Sequence, residues 1–465
     1  MFLALTICII LFILAVFFVV RREHLAFYHP LFIFLVWHFL AYVWVPWRVF
    51  VNGDWQVLTR MGVPLNTDYY LVKTILIVNL GFFCVLTGFY LRTGLRWAQK
   101  LRVPKIYINS NAAIMVILAA SLIGLYSIFN YHPVMGFHGE TFNPMEQNEI
   151  GQTIFTRGSG YLFNAYLFIS GAGLLSYFVS RHGGQGLRTM NWVLILGYMS
   201  FNLFKGFHRA GWVLFFFGIT TLHYLLLNRR WPSWKIIVLL IPLSFAFNMS
   251  GADRSSWRNI LEAGESTKVY VDKSIDRLKG SLYQNDISPF EYNAFQATLY
   301  PEEISYELGR GYFNAWIVMA LPRVIFKNKD QYMLKTNISQ RRDVTKTVGL
   351  CSGFYFDLYR NFGPLGVVLG CLFFGVLLSL LWNWVNLYAT SSGGYEYIKL
   401  IYAGLIMFFP QLLRDGLGSL TQCYFFIMTP ILLSLIFSRN NNVWQNKGYV
   451  YKINRKTKMM KTTTE

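Results

Sequence analysis

The stretch "NLFKGFHRAGWVLFF", Asn202 to Phe216, places Lys205, His208 and Arg209 between two apolar runs. A helix that begins after such a gap offers free backbone N–H groups and a partial positive charge to an anion. Three cationic or titratable side chains at this point therefore predict a site for a phosphate-bearing group. The structural alternative is an ordinary turn between two helices with solvated charges.

Three further arginine positions adjoin apolar runs. Arg254 and Arg258 follow one run, Arg323 ends another, and Arg414 precedes Asp415 in a predicted tight turn. Arginine stays charged in a dry site and binds phosphate through two parallel hydrogen bonds. The alternatives are arginines snorkelling from a surface helix, an interfacial anchor, and an Arg–Asp pair that caps a helix. Taken together, the four positions predict an anion site built from helix ends.

Two carboxylates are candidates for a proton acceptor. Asp286 and Glu291 flank Pro289 in "NDISPFEYN", which predicts a proline-bent loop. The neighbouring aromatic side chains would partly desolvate a carboxylate and raise its pKa toward a value useful for general-base catalysis. The alternative is helix N-capping beside the proline.

A metal site is not predicted. His132, His138 and Glu140 share one loop, "YHPVMGFHGETFNPMEQNE", but their spacing matches no known ligand signature. We predict neither a metal nor a cofactor.

The elements that must position these residues are membrane helices. The chain has 465 residues, of which 54% are hydrophobic and only 14% charged, a composition unusual for a soluble protein of this length. Apolar runs long enough to cross a bilayer recur along it. The predicted fold is all-α and polytopic, with about eleven spans near residues 2–20, 27–45, 70–91, 112–130, 160–180, 190–204, 210–228, 234–248, 364–388, 398–412 and 420–438.

The charge pattern predicts the orientation. With the N-terminus outside, the inner loops and the tail hold 20 of the 42 Lys/Arg but only 3 of the 22 Asp/Glu. This is the positive-inside bias of membrane proteins. It accounts for the net charge of +20 without a nucleic-acid partner.

The same pattern predicts four regions. N-terminal spans occupy residues 1–248, a large outer loop 249–363, further spans 364–438, and a basic cytosolic tail 439–465. The loop carries amphipathic helices at 251–283 and a re-entrant or interfacial run at 312–323, too short to span. No P-loop, Asp-x-Asp or glycine-rich dinucleotide motif occurs, so any chemistry is predicted on the outer side.

The order of these features resembles Wzy-type polymerases of oligosaccharide repeat units. The resemblance rests on five stretches, "FKGFHRAGWVLF", "ISPFEYN", "IVMALPRVIFKNKD", "GLCSGFYFDLYRNFGPLGVVLG" and "LLRDGLGS". One pattern described for some members, Arg-x10-Gly, is not met at Arg209, where Gly218 follows nine residues on.

The resemblance implies a metal-independent enzyme with a GT-C-like fold in the bacterial inner membrane, acting at the periplasmic face. Its substrates would be oligosaccharides on undecaprenyl pyrophosphate, destined for O-antigen, capsule or a related polysaccharide. A protein that regulates chain length is an expected partner. Cationic side chains would stabilise the departing pyrophosphate, and a carboxylate or histidine would deprotonate the acceptor hydroxyl. The residues matched to the first role are Arg209, Lys205, Arg254, Arg258, Arg323 and Arg414, and those matched to the second are Glu291, Asp286 and His208.

Two alternatives stay open. An O-antigen ligase uses the same donor but another acceptor. A flippase or other transporter of lipid-linked oligosaccharides would show internal repeats and charges in mid-span. Neither feature is evident in the sequence.

Overall fold

A computed structural model of the chain describes residues 1–53, 55, 58, 68–131, 145–147, 153–155, 164–181, 185–205, 209–234, 238, 289–313, 316–317, 352–389, 394–417 and 420–440. These residues are predominantly helical. One short antiparallel pair accompanies the helices, with β1 (Met145–Gln147) beside β2 (Thr153–Phe155).

The helices follow one another in the order α1 (Phe2–Arg22), α2 (Pro30–His38), α3 (Val45–Asn52), α4 (Asp68–Tyr90), α5 (Arg92–Lys100), α6 (Ser110–Tyr131), α7 (Phe168–Ser180), α8 (Gln185–Lys205), α9 (Arg209–Leu226), α10 (Phe290–Leu299), α11 (Arg310–Phe313), α12 (Gly353–Ala389), α13 (Tyr397–Met407), α14 (Phe409–Asp415) and α15 (Leu420–Asn440). A π-helical turn, Phe39–Trp44, joins α2 to α3, and a 3-10 turn, Ala165–Leu167, precedes α7.

Within the described residues, five helical segments are long and apolar enough to cross a membrane. They are Phe2–Arg22, Pro30–Asn52, Asp68–Tyr90, Ser110–Asn130 and Gly353–Tyr388, and the shorter apolar helices are Ala165–Ser180, Leu214–Leu226 and Tyr424–Arg439. The α1 helix is one example. Its 21 residues contain neither glycine nor proline and reach about 30 Å, which is enough to cross the hydrocarbon of a bilayer. The helical membrane class is therefore supported, while the number of eleven spans stays a prediction. The expected span 234–248 lies outside the described residues apart from positions 234 and 238.

Several predicted spans have limits that differ from those of the helices in the structure, and two of these differences involve a break in the helix. The helix expected at 364–388 begins earlier, at Gly353, and bends at Gly363, whose φ of 66° and ψ of −157° are not helical. The run 398–412 is interrupted because α13 ends at Met407 and α14 begins at Phe409. In the second case Pro410 has no backbone N–H to continue the helix, and it occupies the first turn of a new one.

The centre of the bundle is the pair α4 and α12, which have the most extensive contact between two described elements. Small residues in both helices allow this close contact. A side chain at Gly88 would collide with the carbonyl of Leu372, and one at Gly375 would collide with the carbonyl of Val85. The two backbones thus approach directly, as small residues permit in membrane helices.

The ends of the helices form two groups. At one end, which we name the basic end, the Tyr397 hydroxyl donates to Pro104 O at 2.8 Å and Lys399 Nζ donates to Asn228 Oδ1 at 3.1 Å. At the opposite end, the mixed-charge end, Lys73 lies 3.7 Å from a Glu302 oxygen and Arg360 contacts Glu307. This grouping agrees with helices that cross in alternating directions.

Candidate functional site

The candidate site lies at the mixed-charge end, where α10 and its following loop meet the first half of α12 and the end of α14. The position of α10 is determined by Lys73 of α4. Its ammonium group donates to the carbonyls of Ala297 at 2.9 Å and Tyr300 at 3.0 Å. These bonds satisfy carbonyl groups that a helix C-terminus leaves without a partner inside the helix.

A largely buried ionic cluster joins the loop after α10 to α12. Arg360 Nη2 lies 2.9 Å from Asp357 Oδ1, and Arg360 Nε lies 3.3 Å from Glu307 Oε1. The side chains of Arg360 and Glu307 are each 12% exposed and that of Asp357 is 4% exposed. We name Glu307, Asp357 and Arg360 the ionic cluster. Its formal charge is −1 when both acids are ionised, and the shielding from water strengthens each interaction.

Asp357 also ties the ionic cluster to the end of α14. Its Oδ2 accepts a hydrogen bond from Leu417 N at 2.8 Å. Gly416 makes this approach possible, because its φ of 85° and its contact with the Asp357 carboxylate leave no room for a side chain. The carbonyl group of Leu417 is bound as well, because the indole N–H of Trp316 donates to Leu417 O at 3.1 Å.

Glu307 has the properties of a proton acceptor. Burial raises the pKa of its carboxyl above the ordinary value, although Arg360 and the Tyr300 hydroxyl act in the opposite direction. That hydroxyl donates to Oε1 at 3.3 Å. The other oxygen, Oε2, is buried next to Gly311 and has no hydrogen-bond partner among the described residues. A carboxylate with a raised pKa and an unused oxygen suits general-base chemistry.

Arg414 lies at the same end of the bundle as the ionic cluster. It is in the last turn of α14, three residues before the backbone N–H that Asp357 binds. Its side chain is 28% exposed and its Nε lies 3.7 Å from Asp415 Oδ1, while Gln411 donates to the other oxygen of Asp415. The expectation of a tight turn at Arg414 and Asp415 was wrong. Both are helical, and the chain turns at Gly416, where a positive φ is available.

Glu291 is placed differently from the prediction. It is in the first turn of α10 rather than on a loop, because Pro289 precedes the helix and an acid is favourable near a helix N-terminus. The residue is 2% exposed, and its Oε2 accepts a hydrogen bond from Leu58 N at 3.2 Å. Its carboxylate therefore faces Leu58.

For Lys205 and Arg209 the described backbone gives the position. The α8 helix ends at Lys205 and α9 begins at Arg209, as the predicted anion site at a helix start requires. The opposite end of α9 leads to Asn228 at the basic end, so its start lies at the mixed-charge end. The remaining candidates lie outside the described residues, namely His208, Asp286, Arg254, Arg258, Arg323, His132, His138 and Glu140. Among the described residues, no group of three or more His, Cys, Asp or Glu could hold a metal ion.

Sequence reasoning did not select the ionic cluster. A signal for part of it exists in "FYFDLYRNFGP", where Asp357 and Arg360 are three residues apart and so share one helix face. Glu307 has no comparable signal, since it is distant in sequence and joins Arg360 only through the fold.

Comparison with known proteins adds no relative, because no family model, no curated protein and no solved structure matches the chain. Function is therefore inferred from the residues, from their placement and from the resemblance described above.

Proposed function

We propose that the chain is a glycosyltransferase that polymerises oligosaccharide repeat units carried on undecaprenyl pyrophosphate. The observation that carries the proposal is the largely buried Glu307 carboxylate, which keeps one oxygen without a partner among the described residues at the same end of the bundle as Arg414 and the start of α9. Arg414 is held at this end, and α9 begins there with Arg209. Their fixed charge fits a pyrophosphate leaving group, which needs no nucleotide.

In the proposed reaction an acceptor hydroxyl oxygen attacks the anomeric carbon of the donor sugar. The bond from that carbon to the phosphate oxygen breaks, and the pyrophosphate leaves with the electron pair. Arg209 and Arg414 would stabilise the negative charge that develops on it. The proton of the acceptor hydroxyl passes to a carboxylate, whose ordinary contribution to the rate is about 10²–10⁴-fold.

We assign the role of proton acceptor to Glu307 in preference to Glu291. Glu307 adjoins Arg360, its pKa is raised by burial, and it keeps one oxygen without a partner among the described residues. Glu291 is more deeply buried and accepts a backbone hydrogen bond from Leu58. This bond ties the start of α10 to Leu58, which is a structural role.

The proposal places the mixed-charge end in the periplasm of a bacterial cell. The basis is the excess of Lys/Arg in the loops assigned to the basic end, which the positive-inside rule assigns to the cytosol. A topology reporter fused after Lys335, within the large loop, should report a periplasmic location. A cytosolic location would refute the proposed mechanism.

The decisive experiment uses purified protein in liposomes with lipid-linked repeat units. Wild-type protein should form long chains, Arg209→Ala none, and Arg209→Lys a reduced amount, because lysine retains the charge but loses the paired donors. Arg188→Ala, a change at an exposed arginine of the basic end, should polymerise normally. Long chains from Arg209→Ala would contradict the assignment of Arg209.

The identity of the product separates the alternatives. Transfer to a lipid A core but not to a second repeat unit would indicate a ligase. Movement of the lipid-linked unit across the bilayer without a new glycosidic bond would indicate a flippase.

A further inference from the structure

A second surface lies at the basic end, on α5. This helix packs against α12 through its two small residues, since Gly94 lies against Ser379 and Ala98 is fully buried. At 100° per residue, these two positions define one narrow face. The remaining circumference of α5 is largely exposed.

The exposed circumference has a regular composition. Arg92, Arg96 and Lys100 are spaced four residues apart, so they form one cationic stripe on the side opposite Gly94 and Ala98. An apolar side chain lies on each flank of the stripe, between it and the packed face. They are Leu95 (37% exposed) on one flank and Trp97 (40%) on the other.

The position of α5 relative to the candidate spans is fixed. It begins two residues after Tyr90, the end of the span formed by α4. The segment that follows α5 is bound to the bundle, because the Tyr388 hydroxyl donates to Leu101 O at 2.9 Å. The guanidinium of Arg22 lies 4.7 Å from the centre of the Tyr90 ring and adds another cation near the same level.

We propose that α5 is a binding site for the phosphate headgroups of anionic phospholipids. A helix that starts where a span ends lies at the level of the headgroups. Its cationic stripe then faces the lipid phosphates, and an apolar edge contacts the acyl chains, as in interfacial amphipathic helices. A soluble anion would use the stripe but would leave Leu95 and Trp97 exposed to water. The charge complementarity and the apolar edges together therefore favour a lipid.

The test compares the full-length protein in nanodiscs of phosphatidylcholine with and without phosphatidylglycerol. Native mass spectrometry counts the phosphatidylglycerol molecules that stay bound. Each basic side chain near an anionic surface strengthens binding about fivefold, so the triple variant R92Q/R96Q/K100Q should bind phosphatidylglycerol about a hundredfold more weakly. The single variant R96Q should lose about fivefold, and it provides the measurement if the triple variant does not fold.

The matched control removes three exposed arginines at the same end, R188Q/R229Q/R439Q, with an equal change in charge. It should lose much less of the bound lipid than the triple variant, because its three arginines lie apart, on α8, after α9 and on α15, and form no stripe. An equal loss in the control would overturn the proposal, because the effect would then belong to total charge rather than to α5. Equal competition by glycerophosphoglycerol, the headgroup without acyl chains, would also overturn it.

Discussion

Replacement of Arg360 by methionine tests whether the ionic cluster is a structural unit. The change removes the charge that Asp357 and Glu307 share and keeps an apolar stem of similar length. Both carboxylates stay largely buried, with side chains 4% and 12% exposed. Removal of one partner from a buried ion pair costs about 3–5 kcal/mol, so we expect the free energy of unfolding to fall by that amount at neutral pH.

The loss should depend on pH with a definite sign. Burial raises the pKa of Glu307 even with Arg360 present, and loss of the guanidinium raises it further. A carboxyl with a higher pKa in the folded protein binds a proton on folding. Its contribution to stability is greatest below the unfolded pKa, about 4.3, and is lost as the pH rises through the folded pKa. Arg360→Met should therefore approach wild-type stability in acid and fall behind it as the pH increases.

The assay is unfolding by sodium dodecyl sulfate from mixed micelles, repeated over a range of pH. The second variant, Glu307→Gln with Arg360→Met, should recover part of the stability, because one of the two unpaired carboxylates is gone. Arg188→Met, at an exposed arginine, is the matched control and should change stability by less than about 0.5 kcal/mol. If Arg360→Met also stays within that range, or loses stability equally at all pH values, the electrostatic account of the cluster is wrong.

The remaining predictions concern activity and packing. Glu307→Gln should lower the rate of polymerisation about 10²–10⁴-fold. Glu291→Gln keeps an acceptor for Leu58 N–H and should retain activity. If Glu291→Gln lost activity and Glu307→Gln kept it, Glu291 would be the general base. Arg414→Ala should abolish polymer and Arg414→Lys should retain some, as judged by chain length on gels. Gly375→Leu should prevent α4 and α12 from packing and reduce the yield of folded protein, while Gly197→Leu, whose Cβ would meet no described atom within 4 Å, should be tolerated. EDTA should leave the rate unchanged, and loss of activity that magnesium, manganese or zinc restores would contradict metal independence.

The membrane helices could be predicted because their signal is local. A run such as Phe2–Arg22 contains its own length and hydropathy, and no distant residue alters that conclusion. The breaks were harder to predict. Gly363 and Pro364 were visible in the sequence, but whether a Gly-Pro pair begins a helix or bends a longer one depends on packing around it. The same applies to Phe408, where hydropathy is continuous across the interruption.

The site was predictable only in part because its main contacts are distant in sequence. Arg209 and Arg414 adjoin helix ends, which composition can indicate. The pairing of Glu307 with Arg360 and of Asp357 with Leu417 N is a product of tertiary structure, and no local pattern specifies it. The position of Glu291 was predicted wrongly for a local reason. Pro289 indicated a change of direction of the chain, but it did not indicate that a helix would begin there.

The bend at Gly363 lies between the ionic cluster and the second half of α12. Both halves contact α4, since Tyr355 before the bend lies against Gly81 and Gly375 after it lies against Val85. The two halves also contact each other, because Leu358 lies against Gly366 and Gly370. Each residue inserted into a helix rotates everything beyond it by about 100°, so an insertion or deletion at this junction would break both sets of contacts. Over evolutionary time, homologous chains should therefore keep the same length from Tyr355 to Gly375.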